Sequence, residues 1–407
     1  MLRRSMPEQT FDLAKLLSPV SPGAFFNDYY EQKPLLVRRN QADYYASLLT
    51  IDDVDRLITV LPPEKIVLAN ADAPVTVTLQ AVARADASMS NASLDVVRAC
   101  QLFDEGATFV LRDAHQRLAS LASLCRTLES EVGAVFTANL YMTPANGQGL
   151  DTHYDTHDTI LVQAAGSKEW TIYSSPLRLP LIGQAFDKKE TYDIGEPTMQ
   201  FVLEAGDLLY IPRGYFHSGR SLDDSSLHAT IGVWPYLWSN VLIEAMAELC
   251  LTDPDFRRSV PLRPGQPGFD IAAAQRTFGD LMLRAAGRAK VEPILERMAD
   301  EFVVSRPAMI PGQIRQMALA RTLTIDGMVG VRPTAIYLIV RSDGAIRVRA
   351  HGREIQLSDA ADEAVTFALT TARYRVAELP GGLEDEDKLI IVRRLIEEGL
   401  VWRIADA

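Results

Sequence analysis

The period of apolar and polar positions changes twice along this chain. From residue 10 to about 125 it is that of helices with short strands between them. One such helix is Ile51-Asp52-Asp53-Val54-Asp55-Arg56-Leu57-Ile58, whose acidic residues fall in the first turn, where the helix dipole favours them. Between Val135 and Trp234 the runs shorten and are cut by turn residues at Pro144, Gly166, Gly206 and Pro212-Arg213-Gly214, a pattern that predicts a strand-rich barrel. Helical stripes return from about residue 239: Leu242, Ile243, Met246 and Leu249 on one face, Phe278, Leu281, Met282 and Ala285 on a second, and Val291, Ile294, Leu295, Met298 and Phe302 on a third. Beyond 331, residues 335–340 and 345–349 read as strands about a turn at Ser342-Asp343-Gly344. Two helical runs follow, the last capped by Gly399 and feeding a terminal strand.

These stretches predict a mixed α+β protein in three parts: a domain over 1–238 that holds the strand-rich barrel, a helical region over 239–325 and a small mixed domain over 326–407. At 407 residues, 47% of them hydrophobic, the chain is long enough for two or three cores. Met1-Leu2-Arg3-Arg4-Ser5-Met6-Pro7 leads into no apolar run of signal-peptide length, and no stretch approaches a membrane span, so a cytoplasmic protein is expected. Cys100, Cys125 and Cys250 have no spacing for zinc or a redox pair and read as buried free thiols. A formal charge of −12 gives no overall footprint for nucleic acid and suits basic protein partners.

The chemistry is concentrated in the barrel. Four of the six histidines, His153, His157, His217 and His228, fall there. In an extended strand His153 and Asp155 project to one face while Thr152 and Tyr154 turn away. His217 follows the apolar run Leu208-Leu209-Tyr210-Ile211 and its Pro-Arg-Gly stop, at a strand end facing a barrel mouth. Two imidazoles and one carboxylate suit a mononuclear Fe(II) site with open positions, hence an oxygenase. Such an enzyme using 2-oxoglutarate needs a cation for the distal carboxylate, and Lys168 in Gly166-Ser167-Lys168-Glu169-Trp170 is a candidate.

The order and spacing of Asn139-Leu140-Tyr141-Met142-Thr143-Pro144, His153-Tyr154-Asp155, Leu161-Val162-Gln163 and Gly166-Ser167-Lys168-Glu169-Trp170 resemble the JmjC family, in its ribosomal oxygenase branch. Residues 25–39, a helix running into a strand with Pro34 between, resemble that family's entry segment. The resemblance implies a double-stranded β-helix (jelly-roll, cupin-like barrel), a helical dimerisation region and a C-terminal winged helix. It implies Fe(II) held by His153, Asp155 and His217, and 2-oxoglutarate held by Lys168 with help from Tyr141, Asn139 lining the pocket on the same strand face. It further implies a homodimer that hydroxylates a ribosomal protein, at the β-carbon of histidine or arginine.

His228 lies in Ser225-Ser226-Leu227-His228-Ala229-Thr230, similar to a strand of the same family, and reads as structural because three protein ligands complete the set. His157, on the strand face of His153 and Asp155, reads as a pocket-rim group, with a spare ligand, a substrate contact or a pH-sensitive group as the alternatives. Its i, i+4 spacing from His153 lacks the glutamate of a helical zinc motif. Residues 331–407 carry 11 Lys/Arg against 13 Asp/Glu, and Glu384-Asp385-Glu386-Asp387, read as a turn, would repel phosphate. The winged helix is therefore expected to be structural or protein-binding. Two other functions fit the same chain: a hydroxylase of a peptide natural product or small molecule, which would keep every site residue, and a non-catalytic cupin and winged-helix regulator, which would be expected to have lost one.

Overall fold

The computed structural model describes residues 11–71, 77–78, 94–186, 192–342 and 344–404. The chain forms two compact units, Met1–Pro235 and Tyr236–Ala407, and in outline is mixed α and β.

The first unit contains the strands β1 (Leu35–Val37), β2 (Ile66–Ala69), β3 (Val77–Thr78), β4 (Thr108–Leu111), β5 (Val135–Thr143), β6 (Asp158–Ala165), β7 (Ser167–Ile172), β8 (Met199–Glu204), β9 (Leu208–Ile211), β10 (His217–Ser221) and β11 (Ser226–Trp234). They make a large sheet in the order β1-β9-β6-β11-β5-β4-β2-β3 and a small one in the order β10-β7-β8, with every pairing antiparallel. The sheets face each other, since Leu161, Leu209 and Ile211 of the large sheet share a core with Trp170, Ile172 and Leu203 of the small one. This is the jelly-roll arrangement expected.

The large sheet is covered on its other face by α1 (Leu13–Leu17), α2 (Pro22–Asp28), α3 (Ile51–Val60), α4 (Val96–Asp104) and α5 (Ala119–Val132), which explains why β5 and β11 alternate between two apolar environments. Phe136, Ala138, Leu140 and Met142 of β5 and Leu227, Ala229, Ile231 and Val233 of β11 enter the helix-covered core. Their intervening residues are left to the barrel interior. α3 begins where its acidic residues predict, with Thr50 and Asp53 forming a reciprocal capping box.

Two glycines fix how the sheets meet. Gly166, between β6 and β7, has φ +62 and a Cβ there would lie 2.0 Å from the Ser225 carbonyl oxygen. Gly206, before β9, has φ +93 and the same conflict with the Gln41 carbonyl oxygen at 2.0 Å. No other residue type meets both the left-handed backbone and the close approach.

The second unit begins with α6 (Trp238–Thr252), α7 (Ile271–Arg288), α8 (Val291–Ser305) and α9 (Gln313–Arg321). A sheet β16-β12-β17 is built from β12 (Met328–Val331), β16 (Tyr374–Arg375) and β17 (Val401–Arg403), and a meander from β13 (Leu338–Ser342), β14 (Ala345–Ala350) and β15 (Arg353–Ser358). The third strand of that meander was not expected. α10 (Asp362–Thr370) and α11 (Asp385–Glu397) complete a core around Val365, Leu369, Val392, Leu395 and Ile396.

Several expectations change here. Glu384-Asp385-Glu386-Asp387 is not a turn: Glu384 stands at the N-cap position of α11, without a side-chain capping bond, and the next three carboxylates occupy its first turn, where they complement the dipole. On α6 the buried residues are Val241, Ala245 and Leu249, while Leu242 and Ile243 are 63% and 65% exposed. Of the next two stripes, Ala285, Ile294, Met298 and Phe302 are buried, but Phe278, Met282, Val291 and Leu295 are exposed. Only Cys125 is a buried thiol; Cys100 is exposed and Cys250 intermediate. Among the described residues no helix is long and apolar enough to cross a membrane.

Candidate metal centre

His153, Asp155 and His217 converge, with one ligand atom of each lying within 4.8 Å of the others. The local backbone differs from the expected strand. Residues 153–157 precede β6 and are irregular, yet they keep strand-like alternation: Thr152 and Tyr154 are buried away from the site. His153 forms an isolated antiparallel bridge with His217, the first residue of β10, through His153 N to His217 O at 3.2 Å and His217 N to His153 O at 2.8 Å.

The donor atoms are set by second partners. His153 Nδ1 lies 2.7 Å from the Asp151 carbonyl oxygen and His217 Nδ1 lies 3.0 Å from that of Tyr215. A carbonyl can only accept, so both Nδ1 atoms carry hydrogen and both Nε2 lone pairs are free for an ion. Burial, reinforced by the neighbouring His153, pushes His217 down to about 4, so the ring is neutral and ready to ligate. Burial works against ionising Asp155. His157, His153, His217 and a hydrogen bond from Thr159 outweigh it, and the carboxyl sits below its ordinary range.

A cleft runs inward from this cluster between the two sheets, lined by Tyr141, Leu161, Lys168, Trp170, His228 and Thr230 among others. Lys168 is 4% exposed and its Nζ donates to Thr143 Oγ1 at 3.1 Å. Among the described residues no carboxylate pairs with it, and burial lowers its pKa to about 7. A buried cation with one neutral partner is an incomplete arrangement that an anionic ligand would complete. Gly219 on β10 makes room for the lysine stem, since a Cβ there would stand 3.1 Å from Lys168 Cε.

His228 stacks flat on Tyr141, centroids 4.8 Å apart and planes 2° from parallel, and forms no part of the three-residue cluster. Burial, then Lys168, drives its pKa well down. Asn139 shares the face of Tyr141 but does not line the cleft: its Oδ1 accepts the Asp113 N–H at 2.9 Å, tying β5 to the turn before α5. His157 lines an adjoining vestibule, outside the cluster. Thr143 and Gly219 were missed in the sequence. Thr143 was findable, two residues beyond Tyr141 on one strand, whereas Gly219 depends on which strand pairs with β7.

Residues 113–241 match the model of the JmjC domain. Ribosomal oxygenase 1 of Danio rerio is 30% identical over 263 residues, which is 61% of this chain and 46% of that protein. The bifunctional lysine-specific demethylase and histidyl-hydroxylase NO66 of Dictyostelium discoideum is 32% identical over 262 residues, 61% of this chain and 49% of that protein. The chain thus spans about half the length of these curated relatives. Among solved structures, Escherichia coli YcfD superposes with a TM-score of 0.54 at 15% identity, covering 95% of this chain and 98% of that one. YcfD described as a ribosomal oxygenase in complex with cobalt and 2-oxoglutarate gives 0.51 at 14% identity, covering 95% and 99%. At these identities the structural likeness establishes the fold.

Proposed function

Because the chain carries a JmjC domain across residues 113–241, we propose that it is an Fe(II)- and 2-oxoglutarate-dependent dioxygenase. It hydroxylates a protein side chain, histidine or arginine of a ribosomal protein. The observation that carries this reading is the joining, in one cleft, of a His-Asp-His cluster to a buried lysine that has no carboxylate partner among the described residues. The donors fit ferrous iron: two neutral imidazoles and one carboxylate, with coordination positions left open. The names of the relatives, ribosomal oxygenase and histidyl-hydroxylase, support the substrate class.

In this reading His153, Asp155 and His217 hold the metal, while Lys168 and the Tyr141 hydroxyl hold the distal carboxylate of 2-oxoglutarate. When bound, iron with 2-oxoglutarate supplies the activation of O2, the cosubstrate leaving as succinate and carbon dioxide while one oxygen atom enters a substrate C–H bond. The chain's own part is to orient and to exclude water. Burial lowers the Lys168 pKa to about 7, so above that pH the lysine gains its proton as it meets a carboxylate, which couples its protonation to cosubstrate entry. Burial keeps Tyr141 protonated, hence a donor. Leu161 and Trp170 give the cleft an apolar wall beside its polar groups.

Exposed Leu242, Ile243, Phe278 and Leu283 leave apolar helix faces in the second unit, and we read them as the surface on which a second copy pairs. Residues 326–407 act as a winged-helix module that is structural or protein-binding, in keeping with the acidic first turn of α11. Reducing cytoplasm suits both ferrous iron and three free thiols. Tandem mass spectrometry of ribosomal proteins from cells with and without this protein tests the proposal. A histidine or arginine gaining one oxygen only when the protein is present supports it, and identical spectra would remove the ribosomal substrate.

A further inference from the structure

Beside the metal cleft lies a wider vestibule lined by Tyr154, His157, Phe186 and Trp234, which shares Leu150, His153 and Asp155 with the cleft. Lys168 lines the cleft and not the vestibule, so the vestibule reaches the metal cluster without crossing the residue assigned to the cosubstrate. One of its walls is assembled around His157. By strand alternation β11 sends His228, Thr230, Gly232 and Trp234 toward the barrel interior, and at Gly232 that face has no side chain. The His157 imidazole fills the space: a Cβ on Gly232 would lie 2.7 Å from its Cδ2 and 2.9 Å from its Nε2. Two residues on, Trp234 stacks on the same ring, centroids 4.4 Å apart and planes 18° from parallel. The indole is held in turn, its Nε1 donating to Thr137 Oγ1 at 3.3 Å.

His157 is thus placed by packing and stacking, where the two ligand histidines are placed by hydrogen bonds. His153 and His217 each commit Nδ1 to a backbone carbonyl. Among the described residues neither ring nitrogen of His157 has a hydrogen-bond partner, and the ring is not wholly buried. The Cδ2–Nε2 edge is turned to the Gly232 seat, so a ring placed by shape and stacking keeps Nδ1 unspent, which suits recognition of an incoming polar group.

We propose that His157 is a specificity-determining residue: backed by Trp234 and seated on Gly232, it hydrogen-bonds the polypeptide segment that presents the target side chain to the metal. This deepens the function proposed above and rests on it. The test uses full-length protein with Fe(II), 2-oxoglutarate and synthetic peptides spanning the residue oxidised in ribosomal protein. His157→Phe keeps a flat ring against Trp234 without nitrogens, His157→Gln keeps a polar group without the stack, and Gly232→Ala displaces the imidazole without removing it. KM for peptide should rise about tenfold, the equivalent of ~1.4 kcal/mol, in His157→Phe and in Gly232→Ala. His157→Gln should recover part of that loss, and kcat should change far less in all three. Mn(II) affinity, measured by calorimetry, should match wild type in every variant. An unchanged peptide KM in His157→Phe overturns the assignment. So does a fall in Mn(II) affinity, which would make His157 a metal ligand. If wild-type protein oxidises no ribosomal protein, the parent reading fails, and this inference with it.

Discussion

Arg213 Nη1 stands 2.6 Å from Asp158 Oδ2, and the Asp158 side chain has no exposure at all. The same nitrogen lies 2.6 Å from Glu31 Oε1, and Tyr210 donates its hydroxyl to Asp158 Oδ1 at 2.7 Å. Asp158 follows Asp155 by three residues and Arg213 precedes His217 by four, so the pair fastens together the two segments that bring in metal ligands. Gly214 adds a backbone tie, donating its N–H to the Asp155 carbonyl at 3.0 Å.

Arg213→Met should therefore destabilise the protein by roughly 3–5 kcal/mol, because it strands a carboxylate in the interior. Adding Asp158→Leu should restore much of that loss, since it removes the fully buried carboxylate and leaves only Glu31, whose side chain is a third exposed, without its arginine. Urea unfolding of both variants decides the point. A single variant as stable as wild type would mean that the ion pair does not hold the ligand segments.

Asp155→Ala should abolish Fe(II) and Mn(II) binding while changing the unfolding free energy of the metal-free protein by less than about 1 kcal/mol. Asp155 is partly exposed, and among the described residues its side chain has a long hydrogen bond from Thr159 at 3.5 Å and His217 Nε2 at 3.8 Å. Equilibrium dialysis with Mn(II) and urea titration measure the two quantities. Retained metal affinity would remove the carboxylate from the donor set.

Lys168 predicts a pH dependence of cosubstrate binding. Burial lowers its pKa from 10.5 to about 7, and a bound carboxylate should raise it again. Above pH 7, 2-oxoglutarate binding should take up a proton, its Kd rising by up to about tenfold per pH unit, with no dependence below pH 7. For folding the sign is set by a folded-state pKa below the unfolded one. Protonation favours the unfolded chain, so the ligand-free fold loses stability as pH falls from 10.5 toward 7 and loses no more below it. Lys168→Ala should abolish the proton uptake and weaken binding by roughly 2–5 kcal/mol. Calorimetry in buffers of different ionisation enthalpy would show it. A proton count of zero in wild type would sink the coupling.

The exposed faces of α6 and α7 make oligomeric state a direct test. Leu242→Asp together with Ile243→Asp should convert a dimer into a monomer in sedimentation, because charge on a buried apolar patch is uncompensated. Wild-type protein that sediments as a monomer at all concentrations would leave those residues without the partner assigned to them.

The residues that converge on the site were legible because their chemistry is local: a His-x-Asp pair, a histidine after a Pro-Arg-Gly stop and a lysine inside a strand. The turns at Gly166 and Gly206 were legible for the same reason, since a left-handed backbone leaves its mark on one position. What depended on pairing was not. Asn139 and Tyr141 share a face, yet only Tyr141 lines the cleft, because the turn before α5 offers an N–H to the asparagine. The faces of α6 could not be ranked from periodicity, since Val241, Leu242 and Ile243 are all apolar and only tertiary packing selects Val241 for burial. The seat of His157 on Gly232 required knowing that residues 75 positions apart in sequence become neighbours.

The reciprocal backbone bridge between His153 and His217 makes two of the three donors a single chelating arm before any ion arrives. Its bite is set by sheet hydrogen bonds, and each ring is steered by a carbonyl behind it, so loading the metal asks little more than a rotamer choice from Asp155. An ion can then leave and return without the barrel coming apart. Such a protein should survive chelator treatment folded and regain its metal at once, its choice among divalent cations resting on nitrogen and oxygen chemistry and on supply rather than on a cage that closes around one size of ion.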